Sequence, residues 1–385
     1  MSARYSPREM IARMVAFDTT SSRSNLELIH FVRDYLASWG VASHIVPNDD
    51  GTKANLYALI GPETAGGAVL SGHTDVVPVE GQPWVTNPWE VVEKDGRLYG
   101  RGTADMKSFS AIVLSRVPDL VKRPLKRPLI LALSYDEEVG CFGAPRMIAE
   151  LMARCPRPAL CIVGEPSLMG VVDAHKAIST YRTTVTGFEA HSAHTDKGVN
   201  AVAIAARLAA FLHDIADEFR ANGPFDAKFD PVYTTLGVNV IHGGTAHNIT
   251  ARECIFTWDC RTIPDQDPDD VRRRFDAKAA ELLPAMKAVF DGADIVTEKL
   301  ASVPGLAPES PSPAAELAHR LTGRNSTTTV SYASEGGQFQ EAGLSTVICG
   351  PGSILQAHQP NEFIDLAQIE ECSSFIDRLA DWAET

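Results

Sequence analysis

The chain is short of cysteine: seven in 385 residues, with no two in a C-x-x-C spacing. An odd number without paired spacing fits reduced thiols in the cytoplasm and argues against a cysteine-built zinc site. Positive charge is also scarce. There are 35 Lys and Arg against 49 Asp and Glu, a net charge of −14 and a pI of about 5.2. That excludes the basic face by which a protein holds nucleic acid. No apolar run approaches the roughly 20 residues of a membrane span, so no membrane partner is expected. The N-terminal stretch MSARYSPREMIARMVAF lacks the apolar core of a signal peptide and reads as an amphipathic helix. There is no internal repeat and no low-complexity tract. What remains is ordinary: 44% hydrophobic and 22% charged residues. A chain of 385 residues exceeds the size at which one core stops growing, so two domains are expected.

The chemistry concentrates where short apolar runs end. VLSGHTD ends a run at His73, with Asp75 two residues on, and the glycine-rich GRGTADMK brings Asp105 to the start of a helical pattern. Imidazole and carboxylate at such ends suit a divalent metal, and a carboxylate can bridge two ions. A strand-end histidine with a satisfied ring is the plainer alternative for His73 alone. The apolar run Leu129–Ser134 leads straight into Asp136, Glu137 and Glu138, and Ala159–Val163 leads to Glu165. Thr346–Cys349 is followed by Gly-Pro-Gly and then His358. Strands alternating with helices predict an α/β domain with a mostly parallel sheet, whose ligands bind outside the carboxyl ends of the strands. Four separate segments place His, Asp or Glu at that edge, more than chance readily supplies.

Local signals fill in the order. Ser24 and Glu27 have capping-box spacing before a helix, and helices are expected over Ala104–Val117 and Gly143–Ala153. Between about 177 and 300 the pattern changes to β-α-β-β-α-β. It has an alternating strand at Ser179–Thr186, an Ala-rich helix at Val199–Phe219 and strands at Thr235–Ile241 and Cys254–Arg261. A helix opening at Asp267 and Pro268 and a last strand at Ala293–Leu300 complete it. That order is ferredoxin-like. The predicted organisation is a discontinuous zinc-binding catalytic domain, 1–176 and 301–385, with an inserted α+β domain at 177–300. Ser302–Pro313, rich in Pro and Ser, serves as the return linker.

SGHTD, GRGTADMK, DEEVG, GEPS, AHSA with GVNA, GGTAHN and GPGSILQAHQPNE follow one another in this order. Together they resemble the di-zinc metallopeptidase family that includes acetylornithine deacetylase, succinyl-diaminopimelate desuccinylase, aminoacylase and carboxypeptidase G. The resemblance covers nearly the whole chain, and VDAHKA and GPGSILQAHQPNE lean toward the acetylornithine deacetylases. It implies two zinc ions, with cobalt as the alternative. His73 and Glu165 would hold one, Glu138 and His358 the other, and Asp105 would bridge them, followed by a cis peptide. Glu137 would be the general acid/base and Asp75 would orient His73. The implied reaction is hydrolysis of an N-acetylated amino acid by metal-activated water, foremost N2-acetyl-L-ornithine to ornithine and acetate in arginine biosynthesis. Related amidohydrolase or carboxypeptidase activities and a metal-free dimeric binding protein are the alternatives.

The resemblance also implies a homodimer through the inserted domain, which would act as lid and dimerisation surface. His191, with His194 as competitor, would reach a partner's site and donate to the developing oxyanion. Thr195, Asp196 and Lys197 depart from the proline usual nearby. Asn248 and Arg261 match positions that hold substrate carboxylate or carbonyl, a task that suits the planar guanidinium; a strand-end surface charge is the plain reading of Arg261. Glu335, in SEGG, is expected to face the side-chain amine of a basic substrate or else to be a solvated loop carboxylate.

Overall fold

A computed structural model describes residues 3–385. The chain forms two compact units. One comprises the chain through Ala174 with Leu306–Thr329 and Ser334–Thr385; the other comprises His175–Gly305 with Val330–Ala333.

The first unit is built on an eight-stranded sheet. In spatial order its strands are Ser43–Pro47, Ala54–Ile60, Leu129–Ser134, Ala68–His73, Leu160–Pro166, Ser345–Gly350, Val171–His175 and Thr327–Val330. The four middle strands, Leu129–Ser134 to Ser345–Gly350, run parallel. Ala54–Ile60 pairs antiparallel with Leu129–Ser134, and Val171–His175 antiparallel with Ser345–Gly350. LILALS and AVLSGH are buried throughout, so they carry no polar alternation, as strands covered on both faces require. His73 lies in register with Ser134, and Gly350 with Pro166, so the strands finish at one level.

Helix Lys107–Leu120 is buried over almost its whole length and packs with Pro7–Val15 and Leu366–Ala383. A Cβ at Gly164 would lie 2.1 Å from the Phe109 ring, so the strand carrying Glu165 admits this helix only because that position is glycine.

Three local expectations are corrected by tertiary contacts. The Ser24–Glu27 capping box does not form. Ser24 Oγ donates to the Thr52 carbonyl at 2.6 Å, and the Asn25 amide pairs with both backbone groups of Ala54. Asn25 is the N-cap of Leu26–Ser38 without a side-chain cap bond; a complete capping box instead opens Pro7–Val15, between Ser6 and Glu9. The helix expected from Ala104 begins at Lys107, because the amides of Ala104 and Asp105 donate to the Glu362 carboxylate. The helix expected from Asp267 begins at Asp270, since Asp267 caps a turn through the Asp269 amide.

The second unit is a four-stranded antiparallel sheet in the order Thr235–Gly243, Glu253–Thr262, Ala177–Thr186 and Asp294–Val303. Helices Ala201–Asn222 and Asp270–Lys287 pack with it. Its core gathers Tyr181, Leu212, Phe219, Phe256, Trp258 and Phe275, with Tyr181 and Trp258 stacked at 4.2 Å. Chain order and strand order are those of a ferredoxin-like sandwich. All seven cysteines are free, and among the described residues no helix is long and apolar enough to cross a membrane.

Candidate metal centre

The carboxyl ends of the middle strands bring together His73, Asp75, Asp105, Glu137, Glu138, Glu165 and His358. His73 ends its own strand and Glu165 lies within the last turnless stretch of Leu160–Pro166. Glu137 and Glu138 follow Leu129–Ser134 across a turn in which Asp136 adopts φ +56° and pairs with Lys53. His358 lies in the loop after Ser345–Gly350 at φ +63°. The peptide between Asp105 and Met106 is cis.

The two oxygens of Asp105 look in different directions. Oδ1 lies 3.0 Å from His73 Nε2, and Oδ2 lies 3.3 Å from His358 Nε2. His73 Nε2 is also 3.6 Å from Glu165 Oε1, and His358 Nε2 is 3.0 Å from Glu138 Oε2. Two groupings have ligand atoms all within 4.8 Å of one another: His73, Asp105 and Glu138, and His73, Glu137 and Glu165. On the far side of the ring, His73 Nδ1 lies 2.9 Å from the Asp75 carbonyl, which fixes the tautomer with Nε2 turned to the cluster. The Asp75 carboxylate accepts the Glu137 and Glu138 amides at 3.1 and 3.3 Å and the Ser21 hydroxyl at 2.7 Å. One aspartate therefore fixes both the histidine and the diglutamate turn.

The electrostatics are those of a site made for cations. Burial, then repulsion by neighbouring carboxylates, raises Glu137 and Glu165 well above the ordinary carboxyl range and lifts Glu138 to about 7. Burial opposes ionisation of Asp105 too, yet hydrogen bonds with His358 and His73 hold it low. Hydrogen bonds with Asp105 and Glu138 push His358 up to about 10. Glu165 Oε1 is buried with no hydrogen-bond partner. Two imidazoles, several crowded carboxylates and an orphaned oxygen form a donor set that fits a borderline divalent ion.

The other expected site residues have partners of their own. His191, Asn248 and Arg261 belong to the second unit. There His191 bridges to Ile249, the Asn248 carbonyl accepts the Ser192 amide, and Arg261 Nε lies 3.3 Å from Asp259 Oδ2. Glu335 belongs to the first unit and is buried. It is 1% exposed, one oxygen accepts the Ser71 hydroxyl at 3.0 Å, and the other accepts the Ser134 hydroxyl. Both serines lie on the strands beneath the centre, so each Glu335 oxygen is engaged by a hydroxyl within the core. We expect Glu335→Gln to leave the preference for basic over neutral N-acyl amino acids unchanged. It should lower the thermal midpoint, by about 1–3 kcal/mol of stability. A shifted preference at unaltered stability would restore the substrate role.

Sequence reasoning passed over Ser21, Gln82, Arg101 and Glu362. Arg101 and Glu362 form a fully buried ion pair at 2.7 Å behind Asp105. Both lie inside the motifs that carried the resemblance, GRGTADMK and GPGSILQAHQPNE.

Known proteins resemble the chain over nearly its whole length. Residues 69–382 match the peptidase family M20/M25/M40. The chain is 34% identical over 381 residues to an acetylornithine deacetylase of Proteus mirabilis (strain HI4320), covering 97% of this chain and 94% of that one. It is 34% identical over 390 residues to an acetylornithine deacetylase of Myxococcus xanthus, covering 96% of each. In fold it is similar to an M20 family metallo-carboxypeptidase from Sulfolobus solfataricus, with TM-score 0.77 at 17% identity over 99% of each chain. The chain belongs to peptidase family M20/M25/M40 and is a metal-dependent hydrolase.

Proposed function

We propose that this hydrolase cleaves the amide of N-acetylated amino acids, foremost N2-acetyl-L-ornithine, giving acetate and ornithine in the cytoplasmic synthesis of arginine. The observation that carries the reading is the split aim of Asp105, one oxygen toward His73 and the other toward His358. A carboxylate so placed suits two ions better than one. His73, Asp105 and Glu165 would hold one zinc, and Asp105, Glu138 and His358 the second, with cobalt as an alternative. When bound, the ions supply Lewis-acid polarisation of the amide carbonyl and a water acidic enough to yield a proton at neutral pH.

Glu137 takes the proton from the attacking water and delivers it to the leaving amine nitrogen, which leaves as the free amino acid while the acyl group leaves as acetate. A base must not be spent on a metal, and Glu138, its neighbour, is the one in contact with His358. The raised affinity of Glu137 for its proton suits a group that must return it. Asp75 keeps His73 and the diglutamate turn in place. His191 of a partner copy in a homodimer would donate to the developing oxyanion, and Asn248 and Arg261 would bind substrate carboxylate or carbonyl. Similarity over nearly full length to enzymes that bear the name acetylornithine deacetylase supports the choice of substrate.

The test is a substrate panel. The chain, loaded with zinc or with cobalt, is offered acetylornithine, neutral acetylamino acids, succinyl-diaminopimelate and C-terminal peptides, and release of primary amine is read. Acetylornithine should show the highest kcat/KM. A higher value for another class would overturn the substrate, and no hydrolysis from the metal-loaded chain would overturn the enzyme.

A further inference from the structure

We propose that Gln82, Arg101 and Glu362 act as a positioning strut that holds the His358 loop against the Asp105 turn and thereby sets the affinity of one of the two metal ions. The inference rests on the reading of Asp105, Glu138 and His358 as metal ligands.

The contacts run without a break from one ligand's backbone to another's. Glu362 Oε1 accepts the amides of Ala104 at 2.8 Å and Asp105 at 3.0 Å. Its Oε2 accepts Arg101 Nη1 at 2.7 Å. Arg101 Nη2 donates to Gln82 Oε1 at 2.6 Å, and Gln82 Nε2 donates to the His358 carbonyl at 2.9 Å. Trp84 covers the junction: its indole N–H donates to Gln82 Oε1 at 3.0 Å, and the Arg101 guanidinium lies 5.2 Å from its ring.

Such a device is needed at His358 more than at any other ligand. His73, Asp105 and Glu165 are buried and fixed by packing, whereas the His358 side chain is 53% exposed. Its backbone also sits at φ +63°, a conformation that a non-glycine residue keeps only when its surroundings impose it. The Gln82 amide is a side-chain donor fixed on that backbone. Arg101 and Glu362 are each 1% exposed, and burying an ion pair is costly unless every remaining lone pair and proton finds a partner. Here the partners include the amide of one metal ligand and, through Gln82, the carbonyl of another, while Arg101 Nε is left without a partner. Groups that orient metal ligands from behind typically change affinity 10- to 100-fold when removed.

Glu362→Gln breaks a buried charge pair and puts the fold at risk, so the partly exposed Gln82 carries the test. The metal-free full chain is titrated with Zn2+ by calorimetry and with Co2+ by visible absorption, in the wild type, Gln82→Met, Gln82→Glu and His358→Ala. Gln82→Glu keeps an acceptor for Arg101 but has no donor for the His358 carbonyl. We expect two binding events in the wild type and loss of one in His358→Ala. That same event should weaken about 10- to 100-fold in both Gln82 variants; the metal-free thermal midpoint should stay unchanged in Gln82→Glu, which keeps the acceptor for Arg101, and fall in Gln82→Met, which does not. Wild-type isotherms in the Gln82 variants, beside a lost event in His358→Ala, overturn the strut and leave the metal centre standing. A wild type that binds no ion, or His358→Ala with both events intact, overturns the metal centre and the strut with it.

Discussion

Glu137→Gln is expected to lower kcat by about 10²- to 10⁴-fold, the range that a positioned proton-transfer group supplies. Glutamine preserves the size of the side chain and an acceptor oxygen but cannot take a proton from water or return one to nitrogen. KM should change little, because the residue acts on the reacting atoms and not on the remainder of the substrate. Metal content should be that of the wild type. That last measurement is the discriminating one, since Glu137 also stands with His73 and Glu165 in a group whose atoms could together hold an ion. If Glu137→Gln loses an ion along with its activity, Glu137 is a ligand and another group is the base. A neighbouring thiol offers a second check: Cys141 Sγ lies 3.4 Å from Glu137 Oε1. It is free and buried, and a thiol so placed cannot replace the carboxylate as base, because burial raises its own pKa well above the ordinary thiol value.

Stripping the ions with a chelator is expected to abolish hydrolysis and to lower the thermal midpoint. The loss in stability should be about 4 kcal/mol relative to a chain held in metal at a thousand times its dissociation constant. The pH dependence of rebinding then has a definite sign. Ligands bind in their deprotonated forms. Without metal, Glu138 gives up its proton only at about 7 and His358 at about 10, while Glu165 is raised well above the usual range. At neutral pH an entering ion must therefore displace protons. Affinity should rise with pH, by about tenfold per unit for each proton displaced, across the interval from 6 to 8. The raised carboxylates also act on the metal-free fold. A carboxyl whose folded pKa lies above its unfolded value contributes stability below the unfolded pKa, and that stability is lost as pH climbs through the folded one. For Glu138 the loss falls between about 4.5 and about 7. Calorimetric titration at three pH values in buffers of different ionisation enthalpy would read both affinity and proton release. An affinity that is flat with pH would mean that the protons do not sit on the ligands.

Much of this was legible in the chain itself. Buried strands of LILALS type, each ended by His, Asp or Glu, specify a parallel sheet with ligands at one rim, because a strand covered on both faces cannot alternate polar and apolar residues. The change to alternating strands near residue 177 marks a sheet with one face less covered. The resemblance carried by SGHTD, GRGTADMK, DEEVG, GEPS and GPGSILQAHQPNE pointed to the residues that the fold gathers at that rim. Local patterns could not say which polar groups tertiary contacts would claim. The Ser24 hydroxyl donates to the Thr52 carbonyl and accepts only the Leu26 amide of its own helix, so the box with Glu27 does not close. Glu335 stands just before two glycines that look flexible, yet Ser71 and Ser134, far off in sequence, draw it into the core. Arg101 and Glu362 are 261 residues apart, and nothing in either segment announces the other. Short-range periodicity follows from backbone geometry and so can be read along the chain. The partner of a buried charge is fixed only when the folded backbone brings distant donors and acceptors within about 3 Å, where desolvation forces each to find the other.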